Sequence, residues 1–442
     1  MGQVEPGPQD VAGERPALVR AMGRWDLTAV GVNQVIGSGI YVLPATVAAL
    51  VSVSSSPLPY VAAGIANALI VLCFAEAGTR FRDAGGPYVY AKTAFGPFVG
   101  FEVAWMMWVT RVASQAALAN ALALYTGRFW AAANEPWGAG LVVTLTIGIL
   151  AAINLAGVRY GSLAINVFTV AKLVPLLLFM VIGLFYIDVG SFEGLLDVQF
   201  GGFGQAVLLL MFAFGGYELI TIPASEARSP RRDAPYALLM TIGIVCAIYF
   251  LVQLVAAGTL PGLETSTTPL ADAAAVFLGA TAGILVAIGG LISIAGSNAG
   301  TMLAGPRITY ALGEKGQLPA FFAHVHGRFR TPDASILIYA AVSLALALSG
   351  TFAQLAAASA VARIVFYMAT CAAVPVLRRR VEAPPGAFTL PGGPFFPGLA
   401  LLVCVAILAG ADMTSLIGGG LALIAGAVLY AATKQGMNSS GR

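Results

Sequence analysis

The sequence predicts an all-α polytopic membrane protein of twelve transmembrane helices, two of them unwound at mid-membrane. Three observations lead there. First, 59% of the 442 residues are hydrophobic and 10% charged, whereas soluble domains carry about 25% charged residues. Second, twelve apolar segments approach or exceed the ~20 residues of a spanning helix: roughly 26–50, 57–77, 97–125, 138–156, 162–186, 203–223, 235–258, 280–305, 334–350, 353–377, 396–411 and 414–432. Third, the first and sixth segments are interrupted by small residues, at Asn33-Gln34-Val35-Ile36-Gly37-Ser38-Gly39-Ile40-Tyr41 and Phe212-Ala213-Phe214-Gly215-Gly216-Tyr217-Glu218. Glycine weakens a helix, and unwound backbone inside a bilayer is tolerated only where protein buries it or it lines a wet cavity.

The basic residues fix the expected orientation. With a cytoplasmic N-terminus, nineteen of twenty-three fall inside: Arg15, Arg20, Arg24, Arg80, Arg82, Lys92, Arg159, Arg228, Arg231, Arg232, Arg307, Lys315, Arg328, Arg330, Arg378, Arg379, Arg380, Lys434 and Arg442. Arg128 alone falls in an outside loop, where Asp188, Glu193, Asp197, Glu264 and Asp272 also lie. The asymmetry places both termini in the cytoplasm of a multi-pass protein of the cell membrane. The polar first 24 residues hold no stretch like a cleaved signal. Residues 1–25 read as a cytoplasmic tail, 26–433 as one membrane domain with no soluble domain attached, and 434–442 as a second tail.

Breaks in spans one and six make the repeat unit five helices. Because five is odd, the second unit enters the membrane inverted. A 5+5 inverted repeat follows, 26–186 and 203–377, with two additional helices over 396–433. The polar stretch Asp83-Ala84-Gly85-Gly86-Pro87 is read as a turn into a short surface helix around Tyr88–Ala94, and a second such helix is expected over Pro319–His326.

Helix direction gives each break a polarity. Span one runs outward, so its outer half offers free amides at Gly37, Ser38, Gly39 and Ile40 and a positive dipole end, which is an anion site. Span six runs inward, and its first half ends in unpaired carbonyls around Phe212 and Gly215, which favour an ammonium. Facing one another, the two describe recognition of an α-amino acid zwitterion, at the site expected of a secondary transporter.

Ionisable groups inside a bilayer are costly and usually paired or functional. Lys172 in span five is a candidate fixed cation or proton carrier, and Glu218 after the second break is the rival proton site. Glu76 and Glu102 read as structural ion pairs or snorkelling groups, whereas Arg111 and Arg363 stay open between structural and functional roles. Cys73, Cys246, Cys371 and Cys404 show no close pair in sequence, so no disulfide or metal site is expected. His324 and His326 read as solvated loop residues, and no catalytic constellation or cofactor is expected.

These residues resemble the amino acid–polyamine–organocation (APC) transporters. Ile36-Gly37-Ser38-Gly39-Ile40-Tyr41 is similar to their first-helix motif, and Ala84-Gly85-Gly86-Pro87-Tyr88-Val89-Tyr90 with Phe95-Gly96-Pro97 to their loop between helices two and three. Phe212 to Glu218 is similar to their sixth-helix signature. Ser297-Asn298, Pro306-Arg307, Tyr310 and Gly316-Gln317-Leu318-Pro319 are similar to their eighth helix and following loop. The resemblance implies the LeuT-like inverted-repeat fold, carboxylate binding by the amides at Ser38–Ile40, and amino-group binding by carbonyls near Phe212, Ala213 and Gly215. It also implies that Phe212 closes over substrate, and that Lys172 stands where relatives bind sodium, hence sodium independence. Two departures bear on the side-chain pocket: Gly215-Gly216 suggests a roomy one, and Tyr41 adds a hydroxyl where phenylalanine is common.

The expected activity is sodium-independent transport of L-amino acids, as proton symport or exchange, with neutral substrates preferred because Arg111, Lys172 and Arg363 oppose cationic side chains. A cationic amino acid or polyamine carrier is the alternative within the class; a channel or receptor is the alternative outside it. The expected partners are the substrate, protons and the lipid bilayer, with neither nucleic acid nor an obligatory protein partner.

Overall fold

The computed structural model describes residues 23–81, 86–157, 162–197, 200–221 and 229–440. Expectations for residues 1–22, for Arg82 to Gly85, for Arg159 and for Arg228 lie outside them. The described residues form helices and connecting loops, with no strand among them.

The order along the chain is α1 (Arg24–Val35), α2 (Gly39–Val51), α3 (Pro57–Thr79), α4 (Gly86–Phe95), α5 (Pro97–Thr126), α6 (Pro136–Ala156), α7 (Ser162–Gly183), α8 (Phe200–Ala213), α9 (Pro230–Thr259), α10 (Pro269–Leu278), α11 (Ala280–Glu314), α12 (Asp333–Ser349), α13 (Phe352–Arg380), α14 (Phe395–Ala409) and α15 (Met413–Ser440). Several begin on proline: Pro57, Pro97, Pro136, Pro230 and Pro269 occupy first positions. There the missing N–H costs no intrahelical bond and φ is already helical. Helix α13 starts instead on a capping box between Thr351 and Gln354.

Among the described residues seven helices are long and apolar enough to cross a membrane, and α1 with α2 makes an eighth as one span bent by 52°. The chain is thus an all-helical, multi-pass membrane protein. Apolar side chains are exposed along its flanks, at Leu141, Leu145 and Ile149 of α6 and at Leu421, Ile424 and Val428 of α15. A lipid-facing surface has this character. Helices α5 and α13 pack extensively on each other at the centre, as do α3 and α9.

Polar contacts tie several of the loops together. Arg80 donates to the Val381 carbonyl, Arg380 to that of Thr93 and Arg231 to that of Pro385. The Lys315 ammonium lies 4.2 Å from the Tyr88 ring centroid. At the opposite end Arg128 forms an ion pair with Asp272. The expected surface helix is present as α4, whereas Pro319–His326 contracts to a 3-10 turn, Ala320–Ala323. The stretch assigned to an outside loop around Asp272 is instead the amphipathic helix α10, which packs on α11.

Candidate substrate site

The chain unwinds where the glycines predicted. Helix α1 ends at Val35, with Ile36 extended, and α2 starts at Gly39 behind Ser38. Helix α8 ends at Ala213, and a 3-10 turn, Tyr217–Thr221, resumes after Phe214–Gly216. Gly216 has φ +124°, a conformation closed to residues bearing a Cβ.

The two breaks touch each other. A Cβ on Gly39 would lie 2.6 Å from the Ala213 Cβ, and one on Gly216 would lie 2.8 Å from the Gln34 carbonyl oxygen. Gly37 faces Ser297 of α11, at 3.1 Å by the same construction. The glycines thus let the two half-helix junctions meet backbone to backbone. The Gly39 and Ile40 amides open α2 ahead of its first intrahelical bonds, which run from the Tyr41 and Val42 amides to the Ser38 carbonyl. The Ser38 hydroxyl is buried without a hydrogen-bond partner among the described residues.

Protein donors already reach some of the carbonyls at both breaks. The Lys172 ammonium donates to the Asn33 carbonyl and, at 2.9 Å, to that of Ile36. A cation there complements the negative end of α1. The Tyr249 hydroxyl lies 3.1 Å from the Val35 oxygen and 3.2 Å from the Ala213 oxygen, so a single proton serves both breaks. Tyr41 donates to the Lys172 carbonyl at 3.0 Å, and Tyr125 donates to the Tyr41 carbonyl at 2.7 Å.

Below the second break lies a buried charge cluster. Glu218 accepts from Arg111 at 3.3 Å, from the Gly216 amide at 2.9 Å and from the Tyr367 hydroxyl at 3.1 Å. Arg363 of α13 is buried beside them, and its guanidinium covers Gly215: a Cβ there would fall 0.6 Å from Nη1. On the other side of the break, Phe212 packs edge-on against Phe352, with centroids 5.9 Å apart. Ser114 and Ser359 join α5 to α13 nearby, and Gln115 donates to Asn298 of α11.

The structure therefore brings Gly37, Ser38, Gly39, Ile40, Phe212, Ala213, Gly215 and Gly216 together, with Lys172 and Glu218 on the two flanks. It corrects the expectation of a roomy pocket at Gly215, because Arg363 fills the space which that glycine leaves. Tyr249 and Tyr125 were missed. A tyrosine followed four residues later by Gln253, in an otherwise apolar segment, was the available signal for the first.

Other intramembrane groups separate cleanly. Glu76 holds Arg80 at 3.1 Å, Arg378 at 2.7 Å and the Leu390 amide at 2.9 Å, as a structural ion pair should. Glu102 departs from expectation: both its oxygens are buried beside Gly426 of α15, without a hydrogen-bond partner among the described residues. His324 is exposed but pairs with Asp333 at 2.7 Å. Cys371 lies against Cys73, a proximity invisible in their spacing, and both are free thiols. No group of three metal-ligating side chains occurs among the described residues.

Discontinuous helices meeting at a buried, polar, glycine-lined junction define a membrane transporter of small solutes. The family model for amino acid permeases matches residues 22–433, and the chain belongs to that family, within the APC transporters named by its motifs. It is a transporter, not an enzyme. It is 31% identical to the serine/threonine exchanger SteT of Bacillus subtilis (strain 168), over 89% of this chain and 92% of that one. It is 25% identical to the methylthioribose transporter of the same organism, over 88% of each chain. To the branched-chain amino acid permease BcaP, also from that organism, it is 23% identical over 95% and 94%.

Proposed function

We propose that the chain is a secondary active transporter of L-amino acids that works by alternating access without sodium. Its twelve spans form two inverted five-helix repeats, 26–186 and 203–377, followed by two further helices, with both termini in the cytoplasm of the cell membrane. The observation that carries this reading is the pair of half-helix junctions meeting at Gly39 and Ala213. The amides of α2 receive the substrate carboxylate, and the carbonyls around Phe212 and Gly215 receive the amino group. Phe212 on Phe352 forms the closure on the outer side.

Sodium independence is supported by Lys172, whose ammonium already lies on the carbonyl end of α1. If transport is coupled to protons, Lys172 is the better carrier. Its two acceptors are neutral carbonyls, whereas protonating Glu218 would discharge an ion pair with Arg111. Exchange of one amino acid for another is the second reading, favoured by the similarity to a serine/threonine exchanger. In proteoliposomes, uptake of radiolabelled L-amino acids should be unchanged when choline replaces sodium, and loss of uptake would overturn the role given to Lys172. Stimulation by internal amino acid would identify exchange; stimulation by an inward proton gradient would identify symport.

A further inference from the structure

Part of the unfilled hydrogen-bonding capacity of the central site is donor capacity. The Val35, Ile36 and Ala213 carbonyls already have donors from Tyr249 and Lys172. Among the unfilled side chains there one is a cation. Arg363 is 3% exposed, and its Nε and Nη1 are buried without a hydrogen-bond partner among the described residues. Its guanidinium lies directly on Gly215, in the second break. Arg111, also buried, is engaged by Glu218. Among the described residues two guanidinium groups thus face one carboxylate, with Tyr367 and Tyr217 beside Arg363, so the described part of the cluster carries one positive charge in excess.

Such an arrangement is expensive without a ligand. An unmade hydrogen bond to a buried charged group costs more than one to a neutral group, and a buried charge in excess of its counter-charges is costly. An intramembrane ionisable group held this way marks a functional site whose partner has to be supplied. Any side chain on Gly215 would expel the guanidinium, so the glycine is what admits Arg363 to the break.

We propose that Arg363 determines specificity for the substrate side chain, and that this side chain carries a carboxylate, as in aspartate and glutamate. The inference rests on the reading of the chain as an amino acid transporter and names the substrate class of the same site. A carboxylate brings the Arg111–Arg363–Glu218 cluster to neutrality and fills charge-assisted bonds, which are roughly twice as strong as neutral ones. A neutral side chain leaves the excess charge in place, and a cationic one raises it. Hydrogen bonds to charged groups contribute about 1.5–3 kcal/mol, so acidic substrates should bind roughly 10- to 150-fold more tightly than their amides.

The test is a binding panel on the purified full-length protein, read by thermal shift and by displacement of radiolabelled L-glutamate. L-glutamate and L-aspartate should act at concentrations at least tenfold below L-glutamine, L-asparagine and L-serine. Arg363→Gln should abolish that preference while keeping the amides as ligands, and Arg363→Lys should restore part of it. A wild-type protein that takes glutamine or serine but not glutamate would overturn the proposal and leave amino acid transport standing. An acidic preference that survives in Arg363→Gln would remove Arg363 from the role. If no amino acid binds, the transport reading fails and the proposal with it. The wild-type panel decides the substrate class even where a variant fails to fold.

Discussion

Adding one methyl group at Gly39 should separate the two halves of the site. A Cβ built there lies 2.6 Å from the Ala213 Cβ and 2.7 Å from its Cα. Carbon atoms pack at about 3.5–4.0 Å, so α2 and the end of α8 must part by roughly 1 Å. The obstruction includes backbone and cannot be relieved by turning a side chain. Over-packing on this scale costs ~1–3 kcal/mol, which is a factor of about 5 to 150 in any state that needs the two breaks in contact. Gly39→Ala should therefore weaken substrate binding by about that factor, measured as the ligand concentration giving half-maximal thermal stabilisation and as proteoliposome uptake. Gly148→Ala in α6 is the control, since nothing lies within 4 Å of its new methyl. Gly39→Ala combined with Ala213→Gly should recover part of the loss, because the nearer clash disappears and the one with the Cα remains. If Gly39→Ala binds substrate as the wild type does, the junction is not where the ligand sits.

Tyr249→Phe should lower the thermal midpoint by removing the donor shared by a buried carbonyl at each break, a cost of ~1–3 kcal/mol; an unchanged midpoint would remove the shared proton. Glu76→Gln should destabilise the protein by ~3–5 kcal/mol, because Arg378 and Arg80 lose a buried counter-charge. Its substrate affinity per folded molecule should stay unchanged, since Glu76 lies away from both breaks; a shifted affinity measured on the folded fraction would count against that separation. Arg128→Ala should cost ~1 kcal/mol or less, because the Arg128–Asp272 pair is partly exposed, and a large drop in midpoint would show that this pair anchors α10.

What was legible in the sequence follows from backbone direction. Chain order fixes which way each span runs, and each span's dipole follows, so the polarity of both breaks could be read before any contact was known. A cation near the first break was implied only by the family resemblance, and Lys172 lies on its carbonyl end. The helix α10 escaped notice because its ten residues are too few to span and sit among the polar residues of a loop. The proposed helix over Pro319–His326 shrank to a single turn because Asp333 holds His324 and the Thr331 carbonyl takes the His326 amide, folding the segment back on itself.

The least legible part was the one that bears on specificity. Two adjacent glycines read as empty space, and in isolation that is what they provide. Whether the space stays empty depends on a residue almost 150 positions later, on a helix that meets the break through tertiary packing alone. Arg363 was visible as a charge within an apolar segment, and Arg111 equally so; nothing in their spacing distinguished the one paired with Glu218 from the one with unfilled nitrogens. The distinction is geometric. Arg111 approaches from α5 towards the carboxylate, whereas Arg363 approaches from α13 onto Gly215. A glycine that makes room for a guanidinium sets a requirement for charge, where the sequence had suggested only a tolerance for size.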